Sequence, residues 1–113
     1  MKTSCSEKFR ESQQIARTIL EQLGGPGFTM LTGACNLVAT GNGLRFFIGS
    51  GAKNGINRVT VTLNPADDYF VQFEHVSAPL YAVVSDAEGV YADQLQDVFE
   101  HHTGFYTTLR PRR

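Results

Sequence analysis

Apolar and polar positions alternate with two different periods along the chain, helical at both ends and strand-like between them. Over residues 6–23, Phe9, Ala16, Ile19, Leu20 and Leu23 recur at three- and four-residue spacing, which predicts an amphipathic helix, and Ser4-Cys5-Ser6-Glu7 offers it a capping box. Gly24-Gly25-Pro26-Gly27 ends it, because glycine takes the left-handed backbone and proline cannot continue a helix. Short β-prone segments follow at residues 28–32, 37–40 and 44–48. The last two flank Gly41-Asn42-Gly43, where Asn-Gly predicts a hairpin. Residues 49–55 read as a flexible glycine-rich loop. Arg58-Val59-Thr60-Val61-Thr62-Leu63 then alternates cleanly, with Val59, Val61 and Leu63 on one face.

Pro65-Ala66-Asp67-Asp68 is turn chemistry, and residues 69–76 and 80–85 predict two more strands joined through Ser77-Ala78-Pro79. Asp86-Ala87-Glu88-Gly89 reads as an acidic turn into a second helix over residues 92–102, with Leu95, Val98 and Phe99 as its apolar stripe and Gly104 as its stop. Helix, about five strands, helix is an α+β order. It predicts a mainly antiparallel sheet with the N-terminal and C-terminal helices packed on the face made by Leu44, Phe46, Ile48, Val59, Val61 and Leu63. Nothing helical lies between the strands, which argues against parallel βαβ units.

A chain of 113 residues, 42% apolar and 19% charged, fits a single globular domain, with residues 1–5 and 110–113 expected to lie outside the ordered unit. Such a domain buries roughly two-thirds of its unfolded surface. The first ten residues hold no apolar stretch, and no run approaches the roughly 18 apolar residues of a membrane span, so a cytoplasmic protein is expected. Cys5 and Cys35 are too few for a disulfide framework; reduced thiols are expected, with Cys35 a small buried hydrophobe.

Charge changes the picture more. The net charge is -1, yet residues 28–64 contain no acid and only Arg45, Lys53 and Arg58, while residues 65–103 contain eight acids and no Lys or Arg. The tail turns basic at Arg110, Arg112 and Arg113. Such segregation makes a dipolar surface that steers charged macromolecules. Strand parity puts Arg45 and Phe47 on the side away from the helices, with Arg58, Thr60 and Thr62 sharing it. Arg, aromatic and hydroxyl groups on an open sheet are what single-stranded nucleic acid binds, and Lys53 in the glycine-rich loop adds a third candidate cation. That loop lacks the Gly-Lys-Ser/Thr ending and the following helix of a phosphate cradle.

Asp93, Asp97 and Glu100 form an acidic stripe on the second helix; Asp97 repels Asp93, and Glu100 opposes the dipole near the C-terminal end. With Asp86 and Glu88 they make a candidate protein-docking surface. His101 and His102 are adjacent and so diverge by about 100° on a helix, which prevents them from chelating one ion; they suit the helix C-terminus, and His75 reads as an edge-strand residue. No catalytic constellation, metal set or cofactor motif is present in the sequence.

Ile19-Leu20-Glu21-Gln22-Leu23-Gly24-Gly25, Met30-Leu31-Thr32-Gly33-Ala34, residues 58–64, Gly89-Val90-Tyr91-Ala92-Asp93-Gln94-Leu95-Gln96 and Thr103-Gly104-Phe105-Tyr106-Thr107 together resemble a family of small phage and prophage accessory proteins. The likeness runs over residues 15–109 and departs at Cys35, where the family more often carries lysine. It implies a mobile-element protein in a bacterial cytoplasm, and small phage proteins of this kind often resemble inhibitors of host defence, anti-CRISPR proteins among them. The expected function is therefore non-enzymatic binding of a host protein or ribonucleoprotein complex, as monomer or homodimer, through Asp86, Glu88, Asp93, Asp97 and Glu100. Single-stranded nucleic acid on Arg45, Phe47, Lys53 and Arg58 is the alternative, and a small enzyme the third.

Overall fold

The computed structural model describes the backbone of residues 5–107 and the side chains of residues 10–107. The capping box at Ser4, the packing of Phe9 and the expectations for residues 1–4 and 110–113 lie outside the described residues. The architecture is α+β: α1 (Cys5–Leu23), α2 (Gly25–Thr32), β1 (Cys35–Ala39), β2 (Gly43–Phe47), β3 (Arg58–Leu63), β4 (Tyr69–Ser77), β5 (Leu80–Val90) and α3 (Leu95–Thr103). The strands form one antiparallel sheet in sequence order, β1-β2-β3-β4-β5, so each strand pairs with its sequence neighbour and β1 and β5 are the edges. No helix among the described residues is long and apolar enough to cross a membrane.

The helices dock on one sheet face, as the strand parity predicts. Ile19 and Leu23 of α1, Phe28 of α2, and Leu95 and Phe99 of α3 are buried against Leu44, Phe46, Val59, Val61, Val71 and Phe73 of the sheet. At the centre Phe99 meets Phe28 edge-on at 5.1 Å, with Phe46 and Phe73 each 6.4 Å away. Leu63 and Leu20 are only half-buried. Ile19 and Leu23, both fully buried, are the α1 residues that carry the core.

Residues 28–32, expected as a strand, are helical. Gly24, at φ 132°, breaks α1, and α2 starts at once with Pro26 in its first turn, where the ring presets φ and the missing N–H costs nothing. Thr29 and Thr32 return their hydroxyls to the carbonyls of Pro26 and Phe28, and Gly33 closes the helix at φ 69°. One turn separates Phe28 from Thr32, so both reach the core. Burial of the aromatic outweighs the weak β preference of the segment.

Three other expectations change. Cys35 opens the edge strand β1 and is exposed, because no element covers the outer side of that strand among the described residues. Asp86-Ala87-Glu88-Gly89 continues β5, and a 310 turn at Ala92–Gln94 delays α3 to Leu95. Cross-strand pairing with Val71 and Gln72 holds Ala87 and Asp86 in the ladder despite their turn-forming composition. His75 lies on β4, between β3 and β5, and not at an edge. Its Nδ1 donates to the Gly55 carbonyl at 2.7 Å; a carbonyl only accepts, so the proton sits on Nδ1.

Candidate functional site

Register places the predicted basic side chains in relation to one another. Phe47 opposes Arg58, Arg45 opposes Thr60 and Gly43 opposes Thr62, so Arg45, Phe47, Arg58, Thr60 and Thr62 do share the face that carries no helix. The next strand adds what the sequence reading missed. Arg58 opposes Glu74, and the pair is bidentate: Nε to Oε1 at 2.8 Å and Nη2 to Oε2 at 3.1 Å. Thr60 donates its hydroxyl to Glu74 Oε1 at 3.3 Å, and Arg45 Nε reaches Thr60 Oγ1 at 3.3 Å.

The Glu74 side chain is 6% exposed and that of Arg58 15%. The hydrogen bond to Glu74 holds the Arg58 guanidinium above its ordinary range, against the pull of burial. Tyr81, on β5, lies over the guanidinium with its ring centroid 5.0 Å from Cζ. Arg58 is thus a neutralised, stacked structural cation. Glu74 falls with Gln72 on the outward phase of residues 69–76, as any surface acid would, so only the β3–β4 register identifies its partner.

Lys53 is elsewhere. It sits in a 310 turn at Lys53–Gly55, its Nζ donates to the His101 carbonyl at 3.1 Å, and its stem lies against Gly104. A cation at the C-terminal end of α3 meets the negative pole of the helix. The glycine-rich segment is therefore anchored to α3, and Lys53 does not join the Arg45 face.

The acidic candidates divide as well. Asp86 opposes Gln72 on the helix-free side of the sheet, and Glu88 lines an open polar recess of about 570 Å³ with Asp68, Asn64 and Phe70. Asp93 is in the 310 turn and Asp97 in the first turn of α3. Because α3 begins at Leu95, the helix N-terminus favours Asp97 instead of leaving it to repel Asp93. Glu100 is structural, since its Oε2 accepts the Thr107 N–H and hydroxyl, both at 2.8 Å, and Thr107 is fully buried. This latch draws the chain after α3 toward the end of α1. A Cβ on Gly24 would come within 2.8 Å of the Thr107 carbonyl, and Gln96 donates to the Leu23 carbonyl at 3.1 Å.

His102 ties α3 to β5. Its Nδ1 is 2.8 Å from Ser85 Oγ, and its ring stacks on Phe73 at 4.4 Å with 5° between planes. Burial, with smaller contributions from His101 and Lys53, holds the imidazole below its ordinary value of 6.5, and Asp86 opposes the shift. The unfolded chain therefore protonates first as pH falls, and the folded state loses stability on the acid side of 6.5. Urea midpoints measured between about pH 7 and 5 should fall more steeply in wild type than in His102→Asn. Parallel curves for the two proteins would remove His102 from the acid response.

The described surface thus presents exposed acids on β5, the 310 turn and α3, and a self-neutralised Arg-Glu-Tyr cluster on the open sheet. Comparison of the chain with protein-family models, with curated proteins and with solved structures found no match in any of the three.

Proposed function

We propose that the protein is a non-enzymatic accessory protein that docks an acidic surface on a basic macromolecular partner, with a host defence complex such as CRISPR-Cas as the target class. One observation carries this reading. In a stretch without Lys or Arg, Asp67, Asp86, Glu88, Asp93 and Asp97 are all exposed, while Glu74 is buried and Glu100 half-buried. Exposed charge of one sign steers a partner of the other. The defence context and a bacterial cytoplasm rest on the resemblance to small phage and prophage proteins. Single-stranded nucleic acid on the open sheet is the weaker reading, because Glu74 neutralises Arg58 and Lys53 lies at α3.

Pull-down from host lysate should recover a partner that survives nuclease treatment. The Asp93→Lys, Asp97→Lys double variant should remain folded by circular dichroism and lose about tenfold or more in affinity, with the wild-type on-rate falling as salt is added. A folded double variant that still binds the partner and protects phage to the wild-type level would exclude this surface.

A further inference from the structure

The sheet ends on an unusually open edge. β5 is 11 residues long, and no described element pairs with its outer side. Over its first half, Leu80-Tyr81-Ala82-Val83-Val84-Ser85, it carries no charge, and Leu80, Tyr81 and Val83 are 74%, 62% and 45% exposed. Edge strands normally carry lysine, proline or inward charge to block further pairing. Here the guards begin at Val84, where the register shifts between Val83 opposite Glu74 and Ser85 opposite Phe73, and continue with Asp86 and Glu88. The unguarded part is the half nearest the Ala78-Pro79 turn.

We propose that β5 pairs antiparallel with β5 of a second copy, centred on Ala82, so that two sheets join into one across a twofold axis. The charge layout selects both the occupant and the direction. Antiparallel pairing about Ala82 sets Tyr81 against the second copy's Val83 and brings Leu80 to its Val84, where the register shift ends the regular ladder, with apolar residues facing apolar ones throughout. Asp86 then falls at the second copy's Ala78-Pro79 turn and Glu88 past it, with the two copies' acids at opposite ends of the junction. Parallel pairing would stack Asp86 on Asp86, which costs stability. A foreign strand that covered the whole edge would need cations opposite Asp86 and Glu88, whereas the self-paired register needs none. A self-complementary patch is also what a twofold interface requires.

Tyr81 gains most. It already lies on the Arg58 guanidinium, and an aromatic facing a β-branched residue across a strand pair is a favoured combination. The shallow hollow of about 290 Å³ lined by His75, Ser77, Leu80, Tyr81 and Ala82 lies at the same end of the hairpin, where the second copy's strand would approach. Asp93 and Asp97, the acids tested for docking, are not on the strand, while Asp86 and Glu88 flank the junction on β5.

Sedimentation velocity on the full chain from about 1 to 200 µM should show a concentration-dependent monomer–dimer equilibrium. Val83→Lys and, separately, Tyr81→Lys should weaken it by about tenfold or more, through an unpaired charge in the junction. The Asp93→Lys, Asp97→Lys variant should dimerise as wild type does. In a Cys5→Ser, Cys35→Ser background, Ala82→Cys should form a disulfide-linked dimer on mild oxidation, while Val38→Cys on the opposite edge should not. A monomer across the whole concentration range without Ala82→Cys cross-linking overturns the proposal. So does growth beyond the dimer, which would mean head-to-tail pairing, and so does a folded Val83→Lys protein that dimerises undiminished.

Discussion

Phe99→Ala is expected to lower the unfolding free energy by about 3–5 kcal/mol. The ring is 1% exposed and touches an aromatic from each of three other elements, Phe28 on α2, Phe46 on β2 and Phe73 on β4. Its loss leaves a cavity that cannot collapse, because those neighbours are held on a sheet and a short helix. A domain of this length has only about 6–17 kcal/mol of stability, so the variant should melt about 10–25 °C lower. Leu20→Ala, half-buried on α1, should cost distinctly less. Calorimetry of the two variants checks the order, and equal midpoints would mean that α3 does not close the core as described.

Glu74→Ala should cost about 2–4 kcal/mol although the residue lies on the sheet face that carries no helix. The substitution leaves the Arg58 guanidinium without its two carboxylate bonds and Thr60 without an acceptor, all at positions with little access to water. Breaking a buried pair is worse than never having built it, so Glu74→Met combined with Arg58→Met should recover much of the loss. Chemical denaturation of the two single variants and the double variant reads this directly. Additive losses would show that the pair contributes nothing as a pair. The comparison also bears on nucleic acid, because Glu74→Gln removes the charge that neutralises Arg58 while keeping its shape. If oligonucleotide binding emerges only in that variant, the open sheet is masked by Glu74.

Much of the architecture was legible from local pattern. The period of Ala16, Ile19 and Leu23 marks α1; Asn42-Gly43 marks the β1–β2 turn; and the alternation of Val59 and Val61 marks β3 and the face it buries. Each is a property of neighbouring residues, decided by side-chain direction along one element. The segregation of charge into an acid-free stretch and a stretch without Lys or Arg is likewise plain in the sequence, since it requires no folding to see.

What only the tertiary structure decided has a common physical origin, in contacts between residues far apart in the chain. Phe28 and Thr32 are helical because Phe46 and Phe99 wait for the aromatic, although the segment by itself reads as β-prone. Arg58 is a partner of Glu74, and not a free cation for phosphate, because β3 and β4 are neighbours in a particular register. Glu100 looks misplaced on its helix until Thr107 returns to it. Finally, the open backbone edge at Leu80, Tyr81 and Val83 follows from β5 being last in the sheet; the same residues in a central strand would have both edges paired. Local period tells which side of a strand faces the core, but strand order alone tells which strand is left with an open edge.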